Sequence, residues 1–502
     1  MRSRRRSMTL FIVGLGPGDP GHLTRRAWEV LSGAGEVYLR TRIHPTVPHL
    51  PEGPVYHSFD ELYDQAGDFA AVYEAIVERL VALAGQGGDT VYAVPGDPLV
   101  GEGTVTRLLA VCKEKQIKVE IVSGVSFVEP TLSALGLDAI SGLQLLDATD
   151  LATAYHPPIN PDSPALIAQV YSRQLASDVK LTLMNQYPDE HPVKLIHAAG
   201  TAEQRVEALP LYEIDRRDVD HLTTLYVPPF DPTPGAVTSF EGFQNTIAHL
   251  RAPDGCPWDR EQTHQSLRKN LIEEAYEVVD AIDSGDPARL REELGDLLIQ
   301  VILHGQIAVD EGEFYMGEVI REVDAKIKRR HPHVWGEVDV GGSAEQVSIN
   351  WERIKERERA EKGETMRSLL DGVPKSLPAL HQAHEYDERA VRVGFDWQDE
   401  KGVIEKVREE IEEVLAATTP EERFVEIGDL LLVIAVWARW LGINPEDALR
   451  AANRRFYERF SYIERRAHEQ GRSVSELTIE EMDALWNEAK RVLGSAGDDG
   501  RE

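Results

Sequence analysis

The sequence predicts a multidomain protein, in which an N-terminal α/β two-lobed domain is followed by a duplicated all-α half. Up to residue 228, short apolar runs end in glycine-containing turns and lead into helical stretches, an order typical of α/β domains. Beyond a proline-rich break, strand signals give way to long helical stretches that contain the same acidic pattern twice. A pattern repeated along a chain indicates duplicated structural units.

Length and charge limit the classes of partner. The 502 residues predict roughly two to four domains, and a hydrophobic content of 42% is sufficient for folded cores. The formal net charge of −32 disfavours binding to nucleic acid or to an anionic membrane surface. Because apolar runs also fall short of a membrane span, we expect neither nucleic acid nor membrane as a partner.

The cysteine content and the first residues of the chain indicate the cellular compartment. Cys112 and Cys256 lie far apart, so we expect no disulfide framework and a reducing cytoplasm. Residues 1–7 are basic but lack the long apolar segment of a signal peptide, which predicts a frayed tail. Met8 is an alternative start, since a predicted strand follows it directly.

The first strand–turn–helix unit opens the α/β domain. A strand predicted at residues 9–13 ends in the loop Gly14-Leu15-Gly16-Pro17-Gly18-Asp19, and a helix is predicted at residues 23–31. Asp19 stands where a dinucleotide-binding loop has its third glycine, and Pro17 removes a backbone N–H. A plain nicotinamide-dependent dehydrogenase is therefore disfavoured.

Two further units follow the same order. A strand at residues 90–94 leads into Pro95-Gly96-Asp97-Pro98, and a strand at residues 119–122 leads into Ser123-Gly124-Val125-Ser126. A helix is then predicted to end near residue 135. Three glycine turns at strand ends suggest that the backbone approaches a ligand there, although each turn alone could be a plain connection.

These loops, with Leu23-Thr24, resemble the tetrapyrrole methylase family over residues 8–228. The resemblance implies that S-adenosylmethionine binds in a cleft between two α/β lobes and that Gly96-Asp97-Pro98 contacts this cofactor. The first loop would face the methyl acceptor, and residues 181–184 would form a strand of the second lobe. Phe127 departs from the family's pattern, so two alternatives remain for this domain. It could be an active methylase, or it could be a regulatory or relic lobe that only binds the cofactor. The implied cofactor-binding residues are Gly14, Gly16, Pro17, Gly18, Gly96, Asp97, Pro98, Gly124 and Met184.

The proline-rich break sets the predicted boundaries. Residues 1–228 form the methylase-like domain and residues 229–240 the linker. The first and second helical domains are predicted at 241–365 and 366–493, and a flexible tail at 494–502.

The acidic pattern reads Glu-Glu-x-x-Glu followed by Glu-x-x-Asp in the first copy and recurs in the second, each time with Gly-Asp-Leu-Leu. Helical spacing places such residues on shared faces, so two antiparallel helices would bring five carboxylates together. Mutual repulsion beside an apolar wall favours a hard divalent cation, Mg²⁺ or alternatively Mn²⁺. The carboxylates are Glu273, Glu274, Glu277, Glu293 and Asp296, and Glu409, Glu410, Glu413, Glu426 and Asp429.

A third, basic element follows each acidic pair. Its cations could hold phosphate oxygens, and Asp324 or Asn453 could add an oxygen ligand or bind a sugar hydroxyl; a solvated basic helix face is the alternative. Trp258 could stack on a nucleobase or anchor a loop to the core. The candidate substrate-binding residues are Trp258, Asp324, Lys326, Arg329, Arg330, Asn453, Arg455 and Arg459.

Together with Gly255-Cys256-Pro257-Trp258-Asp259 and Arg329-Arg330-His331-Pro332-His333-Val334, these patterns resemble MazG-type nucleoside triphosphate pyrophosphohydrolases over residues 235–490. The resemblance implies an all-α homodimer that converts nucleoside triphosphates to monophosphate and pyrophosphate. It assigns the ten carboxylates as metal positions, and one spare glutamate would act on the attacking water. The sequence does not distinguish which glutamates bind metal and which acts as the general base; the candidates are Glu273, Glu274, Glu277, Glu409, Glu410 and Glu413.

Two other functions remain open at this point. The chain could be chiefly an S-adenosylmethionine-dependent methyltransferase whose helical half serves assembly. It could also be a non-enzymatic sensor of nucleotide and S-adenosylmethionine. Which helical copy is active stays open as well, because both acidic patterns are intact.

Overall fold

The computed structural model describes residues 9–65, 69–361 and 368–494. The expected tail at residues 1–7, the alternative start at Met8, the boundary at 365/366 and the tail after residue 494 lie outside these ranges. The chain divides into two compact units, Met1–Arg321 and Glu322–Glu502. The predicted domain boundaries differ from this division and remain a prediction.

The first lobe is a five-stranded parallel sheet in the order β3-β2-β4-β1-β5. Its central strands are apolar on both faces, as expected when helices cover both sides of a parallel sheet. The strands predicted at residues 9–13, 90–94 and 119–122 are confirmed. The elements are β1 (Thr9–Gly14), α1 (Arg25–Ser32), β2 (Glu36–Leu39), β3 (Val55–Ser58), α2 (Asp60–Gln65), α3 (Phe69–Gly85), β4 (Thr90–Val94), α4 (Gly103–Glu114), β5 (Lys118–Val122) and α5 (Val128–Leu135).

The second lobe is a mixed five-stranded sheet in the order β6-β7-β10-β8-β9. Only β6 and β7 pair in parallel, and the remaining pairs are antiparallel. Two sheets in sequence confirm the two-lobed α/β prediction. The elements are β6 (Gln144–Asp147), α6 (Ala148–Leu151), β7 (Ala165–Ala168), α7 (Arg173–Leu183), β8 (Pro192–His197), β9 (Arg205–Pro210) and β10 (Thr223–Val227).

The strand predicted at residues 181–184 is wrong. These residues form the end of α7, with Met184 as its C-terminal cap. Leu175, Val179 and Leu183 are buried along this helix at a spacing of four residues. A run as short as Leu-Thr-Leu-Met fits strand and helix equally well, and the wider spacing of buried residues favours the helix.

The proline-rich break is held against the second lobe. Phe230 lies against the rings of Tyr187 and His191, at centroid distances of 6.2 and 6.4 Å. One Asp162 oxygen accepts hydrogen bonds from the Thr238 N–H and hydroxyl, both at 2.7 Å. Asp162 also accepts from Ser239, which caps the next helix. The connection therefore has fixed contacts with the lobe that precedes it.

The helices of the first copy begin directly after this connection. Ile247, Leu267, Ile302 and Ile307 form their buried core. The predicted change to all-α structure is confirmed. The helices are α8 (Phe240–Arg251), α9 (Pro257–Glu261), α10 (Arg268–Ser284), α11 (Pro287–Glu311) and α12 (Met316–Arg330).

The second unit, which begins within α12, is also helical. A capping box formed by Thr419 and Glu422 begins α17, and Ile463, Ala467 and Leu477 form a small core between α18 and α19. Among the described residues, helices with the length and apolarity for a membrane crossing are absent. The helices are α13 (Pro332–Trp335), α14 (Ala344–Glu361), α15 (Ala379–Val391), α16 (Glu400–Ala416), α17 (Pro420–Trp440), α18 (Pro445–Glu469) and α19 (Ile479–Gly494).

Candidate functional site

The first carboxylate cluster lies between α10 and α11. The two-residue connection Gly285-Asp286 makes these helices antiparallel neighbours, and Asp286 caps α11 through the Ala288 N–H at 2.9 Å. One oxygen each of Glu274, Glu277 and Glu293 lies within 4.8 Å of the others. The sequence therefore predicted the meeting of these two helices correctly.

Electrostatic repulsion inside this cluster is visible at Glu274. Partial burial raises the pKa of its carboxyl, and the charges of Asp296, Glu277 and Glu293 raise it further. Glu273 stands apart, because its carboxylate pairs with Lys269 at 3.0 Å. Four of the five predicted carboxylates are thus electrostatically coupled, whereas the fifth is compensated by a lysine on its own helix.

The second cluster lies between α16 and α17. One oxygen each of Glu410, Glu426 and Asp429 lies within 4.8 Å of the others. Glu410 is only 4% exposed, and its Oε2 is buried without a hydrogen-bond partner among the described residues. Desolvation by neighbouring atoms raises the pKa of the Glu413 carboxyl, and the charge of Glu410 raises it further. A buried carboxylate oxygen that has no hydrogen-bond partner and lies among further carboxylates fits a cation ligand.

The two clusters differ in one residue that the sequence analysis missed. Lys406 donates to Glu410 at 2.8 Å and to Glu409 at 2.9 Å, and these carboxylates raise the pKa of the lysine. Asn270 occupies the corresponding position, three residues before Glu273, in the first copy. Comparison of the two copies position by position would have revealed this difference. Each cluster therefore has a cation beside it: Lys406 pairs with Glu410 in the second, and Arg289 lies 3.5 Å from Glu293 in the first.

A cavity of about 530 Å³ lies in the N-terminal domain between its two sheets. It opens beyond the carboxyl ends of β1, β2 and β4, where open α/β sheets bind ligands. Of the predicted cofactor-binding residues, Pro17 and Gly96 line it. Met184, 39% exposed at the end of α7, does not.

Three other predicted cofactor residues hold the loops together. A Cβ atom on Gly14 would lie 2.5 Å from the Gly96 oxygen and 2.7 Å from the Gly124 nitrogen. Asp97 accepts hydrogen bonds from the N–H groups of Leu99 and Gly124, at 2.8 and 3.1 Å. Gly14 and Gly124 are thus required for close backbone packing beside the cavity.

The cavity wall also contains a buried ion pair that the sequence analysis did not single out. Arg40 pairs with Glu102, whose side chain is 3% exposed, and Arg40 also donates to Tyr63 at 3.0 Å. Burial raises the pKa of Glu102 although Arg40 opposes the shift. Arg40 follows β2 directly, so its position at a strand end was the available signal.

Comparison with known proteins decides the family. A family model of the MazG nucleotide pyrophosphohydrolase domain matches residues 262–335. The nucleoside triphosphate pyrophosphohydrolase/pyrophosphatase MazG of Thermotoga maritima is 44% identical over 50% of this chain and 95% of its own length. The chain belongs to the MazG family.

The part that precedes the MazG half matches a second family model. Tetrapyrrole (Corrin/Porphyrin) Methylases match residues 9–215. The YabN protein of Bacillus subtilis is 42% identical over 96% of this chain and 98% of its own length, so both parts recur there in one chain. The nucleoside triphosphate pyrophosphohydrolase of Escherichia coli strain K12 is 42% identical over 49% of this chain and 94% of its own length.

The candidate substrate-binding residues of the first MazG copy either form ion pairs within the protein or are exposed to solvent. Trp258 on α9 is 58% exposed, which agrees better with a surface role than with a core anchor. Asp324 pairs with Lys328 at 3.0 Å, and Lys326 is exposed on the same helix. Their assignment to substrate remains a prediction.

Arg329 and Arg330 share one carboxylate partner. Both guanidinium groups donate to Glu358 on α14, at 2.5 and 2.8 Å. Hydrogen bonds from Arg330 and Arg329 outweigh the effect of burial and lower the pKa of Glu358 to about 2. A phosphate group bound here would compete with Glu358.

The corresponding residues of the second MazG copy lie on α18. Asn453 and Arg455 are exposed. Arg459 lies over the ring of Trp486 on α19, with 5.5 Å between the guanidinium carbon and the ring centroid. Trp486 is a second indole that the sequence analysis did not single out.

Proposed function

We propose that the MazG half is a Mg²⁺-dependent nucleoside triphosphate pyrophosphohydrolase that releases nucleoside monophosphate and pyrophosphate. The observation that supports it best is the pair of carboxylate clusters, each with three ligand oxygens within 4.8 Å. The buried, unpartnered oxygen of Glu410 and the coupled carboxyl of Glu274 fit cation ligands. Mn²⁺ is the alternative ion, because it shares the preference for oxygen.

The proposed chemistry assigns separate tasks to the side chains. A bound divalent ion would neutralise triphosphate oxygens and lower the pKa of a coordinated water. A cluster glutamate that is not a ligand would accept the proton of the water that attacks the α-phosphorus, with pyrophosphate as leaving group. Basic residues of α12 and α18 would bind the remaining phosphate oxygens, and Trp258 or Trp486 would stack on the base.

Product analysis tests this proposal directly. The full chain is incubated with each nucleoside triphosphate in the presence of Mg²⁺, and the products are separated by anion exchange. Equal amounts of monophosphate and pyrophosphate are expected, and chelation of Mg²⁺ should abolish both. Diphosphate with orthophosphate, or no product from any of the nucleotides, would contradict the proposal.

We also propose that the N-terminal domain binds S-adenosylmethionine, while methyl transfer remains an alternative additional activity. The cavity beyond the ends of β1 and β4 supports this, because its volume falls within the range of small-molecule sites. Calorimetric titration of the full chain should detect binding. Leu222→Trp, which fills the cavity wall, should weaken it, whereas Leu181→Trp on the exposed surface of α7 should not. Equal affinity of both variants and the wild type would place the ligand elsewhere.

We further propose a cytoplasmic homodimer. Exposed apolar side chains on α10 and α11, among them Ile272, Leu298 and Val301, offer a surface that a partner could cover. Sedimentation velocity of the full chain tests this, with twice the 56.1 kDa chain mass expected. A concentration-independent mass of one chain would contradict the dimer.

A further inference from the structure

A pair of histidines outside the carboxylate clusters has an unusual geometry. His264 lies before α10 and His304 lies within α11, and their Nδ1 atoms are 2.7 Å apart. The ring centroids are 5.0 Å apart and the rings are nearly coplanar, at 8°. The centroid separation equals the nitrogen–nitrogen distance plus two ring radii, so the rings meet edge to edge in an N–H···N hydrogen bond. This bond fixes the orientation of the His264 ring.

The other nitrogen of His264 faces two carboxylates. Its Nε2 lies 3.5 Å from a Glu313 oxygen, and one ligand atom each of His264, Glu311 and Glu313 lies within 4.8 Å of the others. Gly312, in the left-handed conformation at φ 73°, ends α11 between the two glutamates. The Glu313 N–H then donates to the Ala308 carbonyl at 2.8 Å, which folds the chain back. Both glutamates are thereby held at one helix end.

Local charge also favours a cation at this position. The neighbouring Asp310 is compensated by Arg251 at 2.7 Å. Within the described residues, lysine or arginine ion pairs are absent at Glu311 and Glu313. The carboxyl end of α11 adds the negative end of the helix dipole. Two carboxylates at that end repel each other and the helix dipole, and a bound positive charge would relieve this repulsion.

We propose that His264, Glu311 and Glu313 bind a divalent transition-metal ion, such as Mn²⁺, Co²⁺ or Zn²⁺. One imidazole nitrogen with two carboxylate oxygens suits these ions better than Mg²⁺, which prefers oxygen ligands throughout. His304 is a positioning residue, because its Nδ1 accepts from the Nδ1–H of His264 and leaves Nε2 of His264 free to coordinate. The ion would tie the segment before α10 to the end of α11.

Cobalt titration of the full chain tests this site. Saturating Mg²⁺ is present throughout to occupy the all-oxygen clusters, and the change in visible absorption on titration reports bound Co²⁺. The wild type should bind one Co²⁺ per chain under these conditions. His264→Ala and Glu313→Gln should each weaken binding by at least about tenfold. His249→Ala and Glu241→Gln, exposed positions on α8, are the matched controls and should leave it unchanged.

Co²⁺ binding is measured without turnover, so the proposed metal site can be disproved without any effect on the proposed hydrolase activity. Glu313 is half exposed, so Glu313→Gln keeps the test decisive if His264→Ala does not fold. Unchanged Co²⁺ affinity in Glu313→Gln would overturn the proposal. So would loss of the Co²⁺ signal in a Glu274→Gln, Glu410→Gln double variant, because the ion would then belong to the carboxylate clusters.

Discussion

Lys406 is one residue in which the two carboxylate clusters differ. In the second copy it compensates Glu410 and Glu409, whereas Asn270 in the first copy has no charge. A metal ion that enters the second cluster must share these carboxylates with the lysine. At the residue scale, this difference makes the two copies unequal as cation sites although their acidic patterns match.

Lys406→Met should make the second cluster more dependent on metal. Without the lysine, the buried charge of Glu410 is uncompensated, so the thermal midpoint of the metal-free protein should fall. Added Mg²⁺ should raise the midpoint of the variant more than that of the wild type, as measured by calorimetry. Lys401→Met, exposed on the same helix, is the control. A Mg²⁺ response equal to that of the wild type would show that Lys406 does not compensate this cluster.

Glu358 gives a prediction about pH. Its pKa of about 2 in the fold lies below the ordinary 4.5, so its contribution to stability is present above pH 4.5 and is lost as the pH falls towards 2. Glu358→Gln should lower the free energy of unfolding at neutral pH by about 1 to 2 kcal/mol. The difference from the wild type should shrink through that acid range in urea denaturation curves. A difference independent of pH would contradict the ion-pair assignment.

The elements show where sequence patterns were sufficient. The strands at β1, β4 and β5 and the two acidic helix pairs were predictable because their buried runs are long or bounded by glycine and proline. The end of α7 was misread because four apolar residues do not distinguish helix from strand. The Arg40–Glu102 pair depends on a contact between distant elements, which spacing within one element does not reveal. Lys406 lies three and four residues before its partners on α16, so helical spacing alone could have predicted this contact.

The glycine loops of the first lobe give a prediction at the scale of elements. In Gly14→Ala, the added Cβ would meet the Gly96 oxygen at 2.5 Å, so the loops after β1 and β4 would have to separate. The free energy of unfolding of the N-terminal domain should fall by about 1 to 3 kcal/mol. Hydrogen exchange followed by mass spectrometry should show faster exchange in β1, β4 and β5, with α16 and α17 unchanged. Unaltered exchange in all of them would contradict the packing role.

At the scale of the whole chain, Asp162 joins the methylase-like domain to the MazG half. Burial would raise its pKa, but hydrogen bonds from Ser239 and Thr238 lower it. Asp162→Ala should therefore release the connection at residues 229–238 and increase its rate of cleavage in limited proteolysis. Asp178→Ala, on α7, is the control. Cleavage at the wild-type rate would mean that these hydrogen bonds do not hold the connection.

The order of an α/β part followed by a helical part was predictable from the sequence. Which of the two MazG copies performs the reaction was not predictable. Both copies contain complete acidic patterns, and the structure gathers three carboxylate oxygens in each. The charged neighbours of each cluster distinguish them: Lys406 pairs with Glu410 in the second copy, and Arg289 pairs with Glu293 in the first. The boundaries at residues 228, 240 and 365 remain predictions.

Whether the carboxylate clusters perform the hydrolysis can be tested by measuring the rate of pyrophosphate release by four proteins: the wild type, Glu274→Gln, Glu410→Gln and the double variant. Each substitution removes a cluster charge without changing the side-chain shape. The double variant should lose at least about a hundredfold in turnover, and the single variant with the larger loss should identify the working copy. Turnover in the double variant equal to the wild type would show that neither carboxylate cluster performs the reaction.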